Sequence, residues 1–128
     1  MDLIKSWDNK QKLHMLPQTL EECFESIKND FADYHKITKH SEKEISSLHM
    51  SAGMWIRNNY GLWNPEKTKL VEWFNENGIY HADDMSSIIL KSFHRHLNNK
   101  DLNLDEQFNH YIKWWEKQGI DLSNQKTF

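Results

Sequence analysis

The sequence predicts an all-α fold, a single compact domain of five or six short helices packed as a bundle or at orthogonal angles. Apolar side chains recur three and four residues apart in five segments, which is the spacing of a one-sided helix. Capping residues precede these segments, and glycine follows three of them. The chain has no run of alternating β-branched residues and no hairpin dipeptide that would indicate strands. Its 128 residues suit one domain.

The helical domain is expected to span residues 16–120. Residues 1–15 show only weak periodicity, which predicts an N-terminal arm or a short helix. Pro17 marks the boundary, because the residue before a proline avoids helical geometry. The polar residues 121–128 predict a flexible tail.

Two helices with capping boxes open the domain. Thr19 and Glu22 have the spacing of such a box at the start of the first helix, and Ser41 and Glu44 have it at the start of the second. Gly61 suits the left-handed residue that ends the second helix. The residues expected to face the core are Leu20, Cys23, Phe24, Ile27, Phe31 and Tyr34 in the first helix, and Ile45, Leu48, Ala52, Trp55 and Ile56 in the second.

The third and fourth helices are predicted from their first residues. Asn64 is a good cap for the third helix, and Pro65 is pre-set for its first turn. The fourth is expected to begin at Ala82, with Asp83 and Asp84 in its first turn, where carboxylates suit the positive end of the helix dipole. The residues expected in the core are Leu70, Val71, Trp73 and Phe74, then Met85, Ile88, Ile89, Phe93 and Leu97.

A fifth helix follows the turn at residues 98–101. Asn103 and Glu106 are candidates for its N-terminal cap, and Gly119 closes it. Its expected core residues are Phe108, Tyr111, Ile112 and Trp115.

Composition limits the possible functions. The formal charge of −3 and the pI near 6.2 argue against a nucleic-acid binder, which usually has a basic face. A single cysteine fits a reducing compartment, and we expect a cytoplasmic protein with no membrane segment. The chain contains no phosphate-binding loop, no dinucleotide-binding glycine motif and no serine nucleophile elbow. We therefore expect no cofactor.

Eight histidines raise the question of a metal site. Two ligands on one helix face need a spacing of three or four residues, and no pair of histidines has it. Ligands from separate segments remain an alternative, with His81, Asp84 and His94 as candidates. We expect no metal.

Two polar segments are the best candidates for a binding site. The segment WIRNNYGLW at residues 55–63 ends one predicted helix, and HADDMSS at residues 81–87 begins another. If these ends meet, Arg57 lies near Asp84 and forms a cluster suited to an anionic or amide-bearing group. The candidate binding residues are Arg57, Asn58, Asn59, His81, Asp84 and His94.

The same residues also have a structural interpretation. Arg57 in a last turn and Asp83 and Asp84 in a first turn each suit the helix dipole, and the asparagines suit caps. The sequence leaves both interpretations open.

These segments resemble a family of small, uncharacterised bacterial proteins, a domain of unknown function. Members of that family contain motifs similar to LHxxxGxWIRNxWGLW, GIxHPDDMSxIIL and YHRxLN. The corresponding segments of this chain are LHMSAGMWIRNNYGLW, GIYHADDMSSIIL and FHRHLN. Tyr60 stands where tryptophan is common, and Ala82 where proline is common. The resemblance covers about residues 16–116. It implies a shared fold and assigns neither an activity nor catalytic residues.

Two functions remain open. The first is a non-enzymatic protein that acts by protein–protein interaction, in an immunity- or phage-related accessory role, as a monomer or weak dimer. Trp114 and Trp115 are adjacent, so they cannot share one helix face, and one of them is a candidate for an exposed anchor. The alternative is a small-ligand binder or hydrolase in which Arg57 holds an anion and His81 or Asp84 transfers protons.

Overall fold

A computed structural model describes residues 9–124 of the chain. Within this range the fold is all-helical, as predicted, and contains no strand. It has seven α-helices, which is more than the five or six expected: α1 (Asn9–Met15), α2 (Leu20–Asp30), α3 (Glu42–Ser46), α4 (Ala52–Asn59), α5 (Lys69–Glu76), α6 (Ala82–Leu97) and α7 (Leu104–Lys117). Three 3-10 segments complete it: Tyr34–Lys39, Ser47–Met50 and Leu122–Asn124.

Helix α6 is the centre of the fold. Ten of its sixteen residues are buried, so it is enclosed on most sides, as expected of a core helix. It contacts α2, α3, α4, α7 and the first two 3-10 segments. Its first turn is therefore placed by several elements at once, and the candidate site lies there.

The predicted second helix is divided into α3, a 3-10 segment and α4, which explains part of the error in the helix count. Three serine hydroxyls donate to backbone carbonyls in this stretch: Ser46 to Glu42 at 3.1 Å, Ser47 to Glu44 at 2.6 Å, and Ser51 to Leu48 at 3.2 Å. Serine side chains compete in this way with regular helical bonding. The break itself is at Ser51, whose backbone has φ −110° and ψ −94°.

The third predicted helix begins four residues later than expected. Thr68, not Asn64, caps α5, and its hydroxyl accepts the backbone N–H three residues on at 3.2 Å. The side-chain oxygen of Gln18 accepts the first backbone N–H of the helix at 3.1 Å. Asn64 instead accepts a backbone N–H two residues on, at 3.3 Å, which makes the Asn64–Pro65 pair part of a turn.

The predicted end of the first helix and the predicted side-chain cap of the fifth helix are wrong. Helix α2 stops at Asp30, because Phe31 takes an extended backbone and packs its ring edge-on against Trp55, with centroids 6.0 Å apart. Asn103 precedes α7 in a left-handed conformation with φ 48°, and its side chain does not cap the helix. Its backbone N–H instead donates to Asp101 at 2.8 Å.

The core contains most of the predicted residues. All of them except Trp55 and Trp115 are buried in the core or pack against it. Trp55 is 46% exposed, so its prediction as a core residue is wrong. Its neighbour Ile56 is buried, and the backbone departs from helical geometry at Ser51, so the periodicity of one continuous helix does not extend to Trp55.

The two ends of the chain are described in part. Residues 1–8 of the expected N-terminal arm and residues 125–128 of the expected tail lie outside the described residues. Leu122 of the tail is buried, so this segment packs on the domain. None of the helices between residues 9 and 124 has the length and apolar character needed to cross a membrane.

The corrected start of α5 can be tested by cap removal. Thr68→Ala should lower the free energy of unfolding by about 1–2 kcal/mol, because the first turn loses a buried side-chain acceptor. Asn64→Ala, at the cap that the sequence suggested, should change it by less than about 0.5 kcal/mol. Urea unfolding followed by circular dichroism measures both, and Thr68→Ser controls for the lost methyl group. The reverse order of the two effects would contradict the observed helix start.

Candidate functional site

Arg57 reaches the first turn of α6, so the two helix ends meet, and each of its guanidinium nitrogens has a partner. Nε lies 3.3 Å from a carboxylate oxygen of Asp83. Nη1 donates to the Ser86 hydroxyl at 3.0 Å, and Nη2 donates to the His49 backbone carbonyl at 3.1 Å. The side chain is only 5% exposed. Arg57 thus connects α4, α6 and the 3-10 segment between α3 and α4.

Gly53 makes room for this guanidinium. It lies one turn before Arg57 on α4, and a Cβ there would stand 3.2 Å from Arg57 Nη1 and 3.3 Å from the Leu48 carbonyl oxygen. Both distances are tighter than usual for a Cβ atom. Ser86 is held in turn, because its hydroxyl donates to the Asp83 carbonyl at 2.9 Å.

His81 caps α6 and joins a series of aromatic rings. Its Nδ1 accepts the Asp83 backbone N–H at 3.0 Å. Its ring stacks on Trp115 with centroids 5.9 Å apart and meets Trp63 edge-on at 6.0 Å. Trp114 packs perpendicular to Trp115 at 4.7 Å. We call Trp63, His81, Trp115 and Trp114 the aromatic row.

Asp84 faces the aromatic row and not Arg57. Its carboxylate accepts the indole N–H of Trp115 at 2.8 Å. Burial raises the pKa of the Asp84 carboxyl, and the bond from Trp115 opposes part of that rise. Consecutive helix residues point about 100° apart, so Asp83 and Asp84 cannot both face Arg57. The expected Arg57–Asp84 contact is therefore replaced by Arg57–Asp83.

The remaining candidates lie apart from this cluster. Asn58 and Asn59 are exposed, and the Asn59 amide donates to the Trp55 carbonyl one turn back at 2.9 Å. His94 is ten residues beyond Asp84 on α6, about 15 Å along the helix axis, and its Nε2 lies 2.6 Å from the His40 carbonyl oxygen. Across residues 9–124, no group of three or more His, Cys, Asp or Glu is placed to hold a metal ion.

Sequence reasoning missed three residues that complete the cluster. From the sequence Asp83 is expected only to interact with the helix dipole, whereas in the structure it pairs with Arg57. Ser86 lies one turn further on α6, and His49 contributes a backbone carbonyl. The i,i+3 spacing of Asp83 and Ser86 is a signal that they share a helix face. No sequence signal identifies the carbonyl of His49, because every residue carries one.

Comparison with known proteins identifies the family. A sequence model described as Domain of unknown function (DUF6794) matches residues 16–97, so the chain belongs to this family. The match includes α2 to α6 and ends with α6, before α7 begins. No curated protein and no solved structure matches the chain significantly.

The position of Arg57 predicts a stability effect. Arg57→Ala should lower the free energy of unfolding by roughly 3 kcal/mol, because a buried guanidinium with three partners is removed and the buried Ser86 hydroxyl loses its donor. Asn58→Ala, at the neighbouring exposed position, should change it by less than about 0.5 kcal/mol. Urea unfolding of both variants measures the difference. An Arg57→Ala protein as stable as the wild type would show that the guanidinium is not a structural tie.

The partly buried carboxyl of Asp84 predicts a change of stability with pH that has a defined sign. The pKa of this carboxyl is raised in the folded state, so between the unfolded and the folded pKa the folded protein binds more protons than the unfolded chain. The free energy of unfolding therefore falls as the pH rises from the unfolded pKa through the folded pKa. Asp84→Asn keeps an acceptor for Trp115 and removes the charge. The free energy of unfolding of the variant, relative to that of the wild type, should be higher at pH 7 than at pH 4. Urea unfolding at both pH values measures this difference. A stability difference that is the same at the two pH values would exclude this burial effect.

Proposed function

We propose that this member of a family of unknown function acts without catalysis, by binding a protein partner in the cytoplasm of a bacterial cell. The observation that carries the proposal is the aromatic row. Trp63 and Trp114 stand at its two ends and are 41% and 50% exposed. Tryptophan is enriched among the residues that dominate binding energy at protein interfaces. Rings that already pack on one another also lose little conformational freedom when a partner covers them.

The polar cluster supports this proposal over a ligand-binding or hydrolytic role. Arg57 is buried and its nitrogens bond to protein acceptors, so an anion would have to displace existing contacts. Asp84 accepts from Trp115, and His81 Nδ1 accepts from the backbone of α6. The groups that an acid–base mechanism would need are thus engaged in holding the first turn of α6.

The cytoplasmic location is supported by cysteine usage. Cys23 is the single cysteine and is fully buried, which suits a reducing compartment. The partner is expected to be a protein. We propose that the interaction serves an immunity- or phage-related accessory role. The chain itself is expected to be a monomer or weak dimer.

Substitution in the aromatic row tests the proposal. Trp114→Ala should weaken partner binding by about 30-fold or more, which corresponds to the loss of one interface hot spot. The partner would be isolated on immobilised wild-type protein from the source cells, identified by mass spectrometry and purified. Its affinity for each variant would then be measured by calorimetry.

Trp55→Ala is the matched control. The exposed fraction of Trp55, 46%, is similar to that of Trp114. Its ring packs against Phe31 and not against the aromatic row. This variant should bind the partner like the wild type. The proposal is contradicted if Trp114→Ala binds as well as Trp55→Ala, or if no protein is retained by the wild type and lost by Trp114→Ala.

A further inference from the structure

A cleft of about 410 Å³ opens beside Trp115. It lies between the α5–α6 connection, α7 and the C-terminal segment. Its lining includes Tyr80, Ile112, Trp115, Glu116 and Asp121, together with two apolar residues of the C-terminal segment. The volume is within the range of sites that enclose a small group, about 300–1,000 Å³.

The cleft combines aromatic walls with negative charge. Tyr80 and Trp115 supply rings, and Glu116 and Asp121 supply carboxylates. The Asp121 carboxylate accepts from both the backbone N–H and the hydroxyl of Ser123, which holds its pKa below the usual range. Among the described residues that line the cleft, none is Lys, Arg or His.

This combination suits a cationic planar group. Aromatic faces attract cations within about 6 Å of the ring centre. A carboxylate beside the ring adds a charge-assisted hydrogen bond, and the guanidinium group of arginine can stack on a ring and donate to a carboxylate at the same time. A lysine ammonium lacks the planar surface and is more strongly hydrated, so it would fill the cleft less well.

We propose that the cleft beside Trp115 receives an arginine side chain of the protein partner. Trp115 belongs both to the aromatic row and to the lining of the cleft, so a partner segment that covers the row lies next to the cleft. Apolar side chains of that segment cover the rings, and its arginine enters between Tyr80 and Trp115 toward Glu116 and Asp121. The inference rests on the proposed function and specifies the partner's chemistry.

A short peptide and its neutral analogue test the cleft without the partner. Acetyl-Leu-Arg-Leu-amide is titrated into the full-length protein, and binding is followed by the NMR signals of the tryptophan indole N–H groups. Acetyl-Leu-citrulline-Leu-amide has the same shape but no charge, and the lysine peptide has the charge without the planar group. The arginine peptide should shift the Trp115 signal saturably and bind about tenfold more tightly than the other two. Equal binding of the citrulline or lysine peptide would overturn the inference.

Charge-neutralising variants locate the binding. Glu116→Gln and Asp121→Asn should each reduce binding of the arginine peptide toward the citrulline level. Glu106→Gln removes the same charge from α7 at a position outside the lining of the cleft and should leave binding unchanged. Equal weakening by Glu106→Gln and Glu116→Gln would mean a general charge effect and would overturn the inference.

The two proposals fail in different ways. A peptide that does not bind, combined with loss of the partner in Trp114→Ala, overturns the arginine cleft and leaves the aromatic row as the binding surface. A peptide that binds, combined with a partner retained by Trp114→Ala, overturns the proposed function and leaves the cleft as a cation site.

Discussion

Burying a guanidinium is unfavourable unless its N–H groups find acceptors, and Arg57 finds them in three places along the chain. A carbonyl from the 3-10 segment before α4, a hydroxyl from α6 and a carboxylate from the first turn of α6 are all needed. Because Ser86 is 29 residues from Arg57 in the sequence, its bond and the Asp83 ion pair together fix how α4 and α6 meet. The position of His81, and with it the stack on Trp115, depends on that meeting.

Two neighbouring carboxylates in the first turn of α6 contact different parts of the fold. Asp83 neutralises Arg57 on one side, and Asp84 accepts from Trp115 on the other. The same turn also carries the His81 cap, whose ring lies between two tryptophans of the aromatic row. The polar cluster around Arg57 and the aromatic row are thus connected within the four residues 81–84. The polar residues that the sequence offers as a ligand site thus bond to one another and to neighbouring helices.

Local signals in the sequence were sufficient where a single residue decides the outcome. The cap residues predict the start of α6 and the capping box of α3 correctly, whereas the composition of the two helix ends leaves open whether Arg57 meets α6. The predictions failed where several groups compete. The distant Gln18 and the buried Thr68 set the start of α5, and local serine hydroxyls compete with the helical bonds of the predicted second helix. The cleft needs the C-terminal segment to pack, which no periodicity in that segment indicates.

The aromatic row is built from two parts of the chain with different relations to the family. Trp63 and His81 lie within residues 16–97, which the family description covers, whereas Trp114 and Trp115 belong to α7, beyond it. Arg57 and its partners are all in the first part. The contacts of Trp115 with His81 and Asp84 therefore join α7 to the part of the chain that the family model matches. A change at Trp115 would act on the first turn of α6 as well as on α7, so the two parts of the aromatic row are mechanically coupled.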